Sequence, residues 1–139
     1  MRLRGGIAGI TEEECFKAVV YRVVGETWNG IVLRERNTIS KMQNTFPELN
    51  FIKKSGEFDF TYAVDFMLYN NNMLICGVQI KPKSYTYNSP YLDRAKVANF
   101  KKNKRFSSEF NVPVFTVISS KKGEISDGSV LLKIRSLLK

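Results

Sequence analysis

The chain has 139 residues, 43% hydrophobic and 25% charged, with 22 Lys plus Arg against 13 Asp plus Glu and a formal net charge of +9. This is the composition of one globular domain over residues 1–139 with enough apolar mass for a core; it excludes a disordered chain, and its positive balance favours a polyanionic partner, most simply nucleic acid. With no His and only two Cys, Cys15 and Cys76, a zinc site lacks its soft ligands, and both thiols read as reduced and buried.

Thr11-Glu12-Glu13-Glu14 is a capping box, and Phe16, Val19, Val20 and Val23 follow at helical spacing, so a helix is predicted over 11–24. A second helix is predicted over 31–46, stopped by Pro47, with Val32, Ile39, Met42 and Phe46 as its apolar stripe. Glu35 falls in that stripe, and a carboxylate there needs a partner because burying it alone is costly. Residues 49–54 read as a short strand. A strand over 60–68 alternates, placing Phe58, Phe60, Tyr62, Val64, Phe66 and Leu68 on one face and Asp59, Thr61, Ala63, Asp65 and Met67 on the other. Asn70-Asn71-Asn72 is a turn, since Asn tolerates positive φ, and a further strand follows over 73–81. A three-residue loop at 71–73 sets Asp65 opposite Gln79 on one face with Lys81, whereas a one-residue slip separates them. After Pro82 comes a polar-aromatic loop, 82–90. A third helix is predicted over 91–110, burying Leu92, Ala95, Phe106 and Phe110, with Arg94, Lys101, Lys104 and Arg105 opposite. The apolar run 112–119 suits a buried strand, 121–123 a turn, and Asp127 caps a last helix carrying Val130, Leu131, Ile134, Leu137 and Leu138. No apolar run reaches membrane-spanning length and the first residues lack a signal-peptide core, so the expected location is cytoplasmic, with no membrane partner.

The chemistry concentrates on the paired strands. Asp65 is a hard anionic ligand, Gln79 offers an amide oxygen, the Ile80 backbone carbonyl offers another oxygen, and Lys81 can orient or deprotonate a water and offset developing negative charge. Mg²⁺ bound by such a set lowers the pKa of water and polarises a phosphate oxygen. Glu35 completes the shell or serves as a salt-bridge partner of Arg34, Arg36 or Lys81; Glu57 and Asp59 are alternative acids. Asp65 and Lys81 taken alone also read as a cross-strand ion pair, worth a fraction of a kcal/mol, under ~1 kcal/mol, when exposed.

The α-β-β-β-α-β order with Asp65 and Gln79-Ile80-Lys81 resembles the PD-(D/E)xK nuclease superfamily, with Val64 where the motif's Pro stands and Gln79 in place of the second acid. Trp28-Asn29-Gly30, residues 33–41, Phe46-Pro47-Glu48-Leu49, residues 55–59, Tyr62 through Phe66, residues 79–85 and Val112 through Thr116 together resemble type II restriction endonucleases of the MjaI group, over about residues 28–120. The resemblance implies an α/β, restriction-endonuclease-like core with a central mixed sheet flanked by helices. It also implies Mg²⁺-dependent cleavage of double-stranded DNA (Mn²⁺ as a substitute) by a homodimer. Asp65, Gln79, Lys81 and Glu35 would be catalytic, and Asp65, Gln79 and the Ile80 carbonyl would hold the metal. Arg34, Arg36, Asn37, Lys83, Ser84, Tyr85, Lys101, Lys104 and Arg105 would contact DNA. A Holliday-junction resolvase-like nuclease and a catalytically inactive DNA-binding module of the same fold are the alternatives.

Overall fold

The structure, a computed structural model, describes residues 28–138; the helix expected over 11–24 and Cys15 lie outside the described residues. In chain order it has α1 (Trp28–Thr45), β1 (Asn50–Lys53), α2 (Glu57–Tyr62), β2 (Phe66–Asn70), β3 (Met73–Lys81), a 3-10 turn (Lys83–Thr86), α3 (Pro90–Phe110), β4 (Val114–Ile118) and α4 (Ser129–Ser136). The four strands form one mixed sheet in the order β1-β2-β3-β4. The first three are antiparallel neighbours and β4 runs parallel to β3, with α3 as the crossover.

Both faces of the sheet are covered, which is why β3 reads as a nearly continuous apolar run. On one face Phe66, Leu68, Cys76, Val78 and Ile80 meet Ile39, Met42 and Phe46 of α1 and Val130 and Ile134 of α4. On the other, Val64 and Met67 meet Phe106 of α3, with Phe58 and Tyr62 packed beside them. Gly77 is closely packed there: a Cβ would lie 3.2 Å from both Phe106 and Val64, so those side chains would have to give way by a few tenths of an ångström. Fully burying side chains of this size stabilises by about 1.5–3 kcal/mol each.

Two sequence expectations fail locally. Residues 57–62 are helical, not extended, and β2 starts only at Phe66. Phe58, Phe60 and Tyr62 alternate, but Phe58 and Tyr62 are also i and i+4. On α2 their rings lie 4.8 Å apart and stack against Phe106 and Phe110 of α3. Positive-φ Gly56, followed by Glu57 and Asp59 in the first turn, was the available helix signal. The hairpin turn also differs. It has two residues, Asn71 and Asn72, both at positive φ, and Asn70 pairs with Met73. A bulge then inserts Ile75, so that Leu68 pairs with Cys76 and Phe66 with Val78. The shorter turn and the bulge cancel. The ladder ends at the Phe66–Val78 pair; Asp65, one residue before it, donates its N–H to the Val78 carbonyl, so the expected pairing of Asp65 with Gln79 lies outside the ladder.

The stripe of α1 is also more polar than its pattern suggests. Arg34 and Thr38 are buried with Gly30, Ile39 and Met42. The Arg34 guanidinium donates to the Ser119 carbonyl, and the Thr38 and Ser119 hydroxyls lie 2.6 Å apart. The turn after β4 lies flush on α1. Gly123 sits at φ +89°, and a Cβ there would come 2.5 Å from the Asn37 carbonyl oxygen. At the C-terminal end the Asp127 carboxylate accepts from the Ser129 N–H at 3.0 Å, close to its expected capping role.

Candidate active site

Asp65 sits where β2 leaves the sheet. Its peptide N–H donates to the Val78 carbonyl and its own carbonyl accepts from the Lys54 N–H, both at 2.8 Å. Its Oδ2 accepts from the Ile80 N–H, also at 2.8 Å. The chain reaches this position through Ala63, which ends α2 in the left-handed region at φ 54°. Asn103 of α3 clamps that corner, its amide donating to the Tyr62 and Ala63 carbonyls at 2.9 and 3.2 Å.

Alternation along β3 fixes the other groups. The Gly77 N–H and the Lys81 carbonyl bond toward β4, whereas the Val78 carbonyl and the Ile80 N–H bond toward Asp65. The Ile80 carbonyl is therefore on the Asp65 side, past the point where β2 has turned away. The Gln79 and Lys81 side chains share the face of Gly77, the one covered by α3. The helix bearing Glu35 covers the opposite, apolar face, so Glu35 meets the others around the open end of the sheet rather than by lying over Gln79 and Lys81. All of them line one cleft of about 750 Å³ between α1 and α3, with Asp59, Lys53, Tyr85 and Lys102.

Electrostatics in the cleft are dominated by carboxylates. Asp65 is 7% exposed. Burial raises its pKa to about 7, helped by the charges of Glu35 and Asp59 and opposed by the Ile80 N–H and Lys81. Burial also raises Asp59, with Lys81 pulling down and Glu35 pushing up. Glu35 pairs with Lys53, Nζ to Oε1 at 2.5 Å, and not with any of the three cations expected from sequence. Gln79 is buried and its Oε1 is 3.5 Å from the Thr116 hydroxyl, a long contact that leaves the amide loosely held. The Lys81 ammonium lies over the Tyr85 ring, 5.3 Å from its centroid. Among the described residues, no three His, Cys, Asp or Glu side chains converge as a metal-ligand cluster. The cleft offers oxygen atoms from the Asp65, Asp59 and Glu35 carboxylates and the Gln79 amide.

The residues expected to touch DNA separate into groups. Arg36 lines the cleft and is exposed, and Lys83 and Lys101, Lys104 and Arg105 are exposed on the 3-10 turn and α3. Arg34 is not on the outer surface; its guanidinium bonds the end of β4. Asn37 is half-buried and its amide donates to the Lys121 carbonyl at 2.7 Å. Tyr85 is half-buried in the cleft wall, where its hydroxyl accepts from Asn99 at 2.9 Å. Ser84 beside it is half-buried in the 3-10 turn. Arg105 also pairs with Glu109 at 3.1 Å. Sequence reading missed Lys53, Lys102 and Asn103. Lys53 and Lys102 carried no signal beyond charge, and Asn103 none at all.

The fold and site together define an α/β protein with a buried Asp at the end of a mixed sheet, sharing a cleft with a lysine. No protein-family model, curated protein or solved structure matches the chain. Among the described residues, no helix is long and apolar enough to cross a membrane. Cys76 is buried and unbridged, and burial pushes its thiol up to about 12, so it is inert core.

Proposed function

We propose that the protein is a divalent-cation-dependent endodeoxyribonuclease with a PD-(D/E)xK-type site. The observation that carries this reading is the convergence on one cleft of the Asp65 carboxylate, the Gln79 amide, the Ile80 carbonyl side and the Lys81 ammonium. Gln79, Ile80 and Lys81 are successive residues of β3, and Asp65 is tied to that strand by its bonds with the Val78 carbonyl and the Ile80 N–H. The donor set suits a hard cation such as Mg²⁺, since it offers oxygen alone and its carboxylates repel one another in a low-dielectric cleft. Asp65, Gln79 and the Ile80 carbonyl would hold the ion, which when bound supplies charge neutralisation at the phosphate and a more acidic water. Lys81, kept close by the strand and by Tyr85, holds its ammonium where charge builds on a phosphate oxygen and can take or give a proton at the attacking water. Glu35 and Lys53 act as a paired wall of the cleft, with Asp59 as a further acid beside Asp65.

The test is nicking of supercoiled plasmid in Mg²⁺. Asp65→Asn is expected to lower the rate at least about a thousandfold, and Lys81→Gln about a hundredfold or more, while both variants keep DNA binding. Unchanged nicking by Asp65→Asn would remove the assignment. Neutral Gln79, in place of a second acid, favours one other reading, an inactive DNA-binding module. A parent protein that binds DNA yet cuts nothing in Mg²⁺ or Mn²⁺ would establish it.

A further inference from the structure

We infer that the cleft receives an unpaired DNA strand and not an intact duplex; the choice of DNA rests on the nuclease reading above. The Asp65 carboxylate is 7% exposed and lies at the floor of a space of about 750 Å³. A space of about 300–1,000 Å³ encloses a drug-sized ligand, the scale of roughly one or two nucleotides. Val32 and Arg36 of α1 form one wall and Ala95, Asn99 and Lys102 of α3 the other. The Asp65 carboxylate is reached between those walls, and an unpaired strand needs less room there than a double helix.

The walls carry what a single strand uses. Tyr85 lines the cleft with Lys81 and Lys96 over its ring, at 5.3 and 6.0 Å. Trp28 stands at the rim, 69% exposed. Lys102 belongs both to the cleft and to an adjoining groove formed with Phe60, Thr61, Lys101 and Arg105. Phe60 in that groove is 51% exposed, with the Lys102 ammonium 4.4 Å from its ring. Rings interleaved with cations along the cleft and its adjoining groove are the usual track for an unpaired strand, in which bases stack on the rings and phosphates follow the charges. A second copy of the chain is a poorer occupant, because a two-fold contact through this face sets Lys101, Lys104 and Arg105 against their own images.

The chain's single tryptophan makes the test direct. Full-length protein in EDTA, so that nothing is cut, is titrated with an oligo(dT) 20-mer and with a blunt duplex of the same length at matched salt. Trp28 emission and the anisotropy of labelled DNA are both followed. The single strand is expected to quench Trp28 saturably and to bind at least about 10-fold more tightly than the duplex. Tyr85→Leu and Phe60→Leu should each reduce single-strand affinity about 5- to 150-fold, in line with ~1–3 kcal/mol per stacked base. Phe60 is largely exposed, so its variant keeps the test alive if Tyr85→Leu fails to fold. Equal or tighter duplex binding, or an undiminished single-strand affinity in Phe60→Leu, overturns the inference, as does concentration-dependent dimerisation that the single strand fails to reverse. Since no cleavage is read, these outcomes are independent of the plasmid assay. A protein that cuts without single-strand preference loses this inference alone; one with the preference that never cuts loses the nuclease reading alone.

Discussion

Asp65 is the residue on which the site turns, and its burial has a measurable consequence. Its pKa is about 7 in the folded protein against an ordinary value of 3.8. In that window the folded state keeps a proton that the unfolded chain has released. The contribution of this carboxyl to stability is therefore intact below about pH 4 and lost as pH rises toward 7. In EDTA at about pH 8, Asp65→Asn should be more stable than the parent by up to a few kcal/mol. The advantage should vanish near pH 4, and Mg²⁺ should stabilise the parent and not the variant. Urea midpoints at the two pH values, with and without the cation, check all three expectations. A variant no more stable than the parent at high pH would mean that Asp65 is better solvated than its surroundings imply. Glu35 shows how a residue can be found from sequence and its partner missed. Its place in an apolar stripe announced that it needed a cation, and the cation is Lys53, 18 positions on.

Elements position the site through their junctions. The α2–β2 corner is the sharpest of these. Ala63 holds a left-handed conformation that costs an alanine about 1 kcal/mol or more, and Asn103 stabilises it from α3 by bonding two successive carbonyls. Asn103→Leu should lower stability by about 1–3 kcal/mol by stranding those carbonyls. It should also slow cleavage by more than the stability loss explains, because Asp65 is delivered by that corner. Ile134→Val, in the core on the other face of the sheet, supplies the comparison: about 0.5–1.5 kcal/mol lost with cleavage unchanged. Chemical denaturation and single-turnover rates at a temperature where both variants are folded separate the two effects. If Asn103→Leu cuts at the parent rate, the corner is held by Val64 packing and the Ala63–Asp59 turn bond alone.

At the scale of the molecule, charge governs encounter. A formal +9 predicts DNA binding that weakens steeply with salt. The cations divide into those facing the cleft and its adjoining groove and those elsewhere, such as Arg135 of α4, which pairs with Glu48. Lys102→Gln should reduce the slope of log affinity against log salt by about one unit, whereas Arg135→Gln should leave it as it was. Anisotropy titrations over a range of salt distinguish them, and equal slopes for all three proteins would place the binding face elsewhere.

Much of this was written in the chain itself. Pro47, Pro82, the Asn turn and the apolar runs set the order of helices and strands, because these are local effects of backbone sterics and of 2.0 and 3.6 residue periods. The period of two also put Gln79 and Lys81 on one side of their strand. Tertiary structure decided the rest. The aromatic run 58–62 fits either period, and only α3, offering Phe106 and Phe110, made the helix the better packing. The bulge at Ile75 restored a register that the turn alone would have broken, since the sheet must bury Phe66, Val78 and Ile80 together against α1. Which helix covers the charged face, and which lysine meets Glu35, depends on contacts between residues far apart in sequence, and no local pattern carries that information.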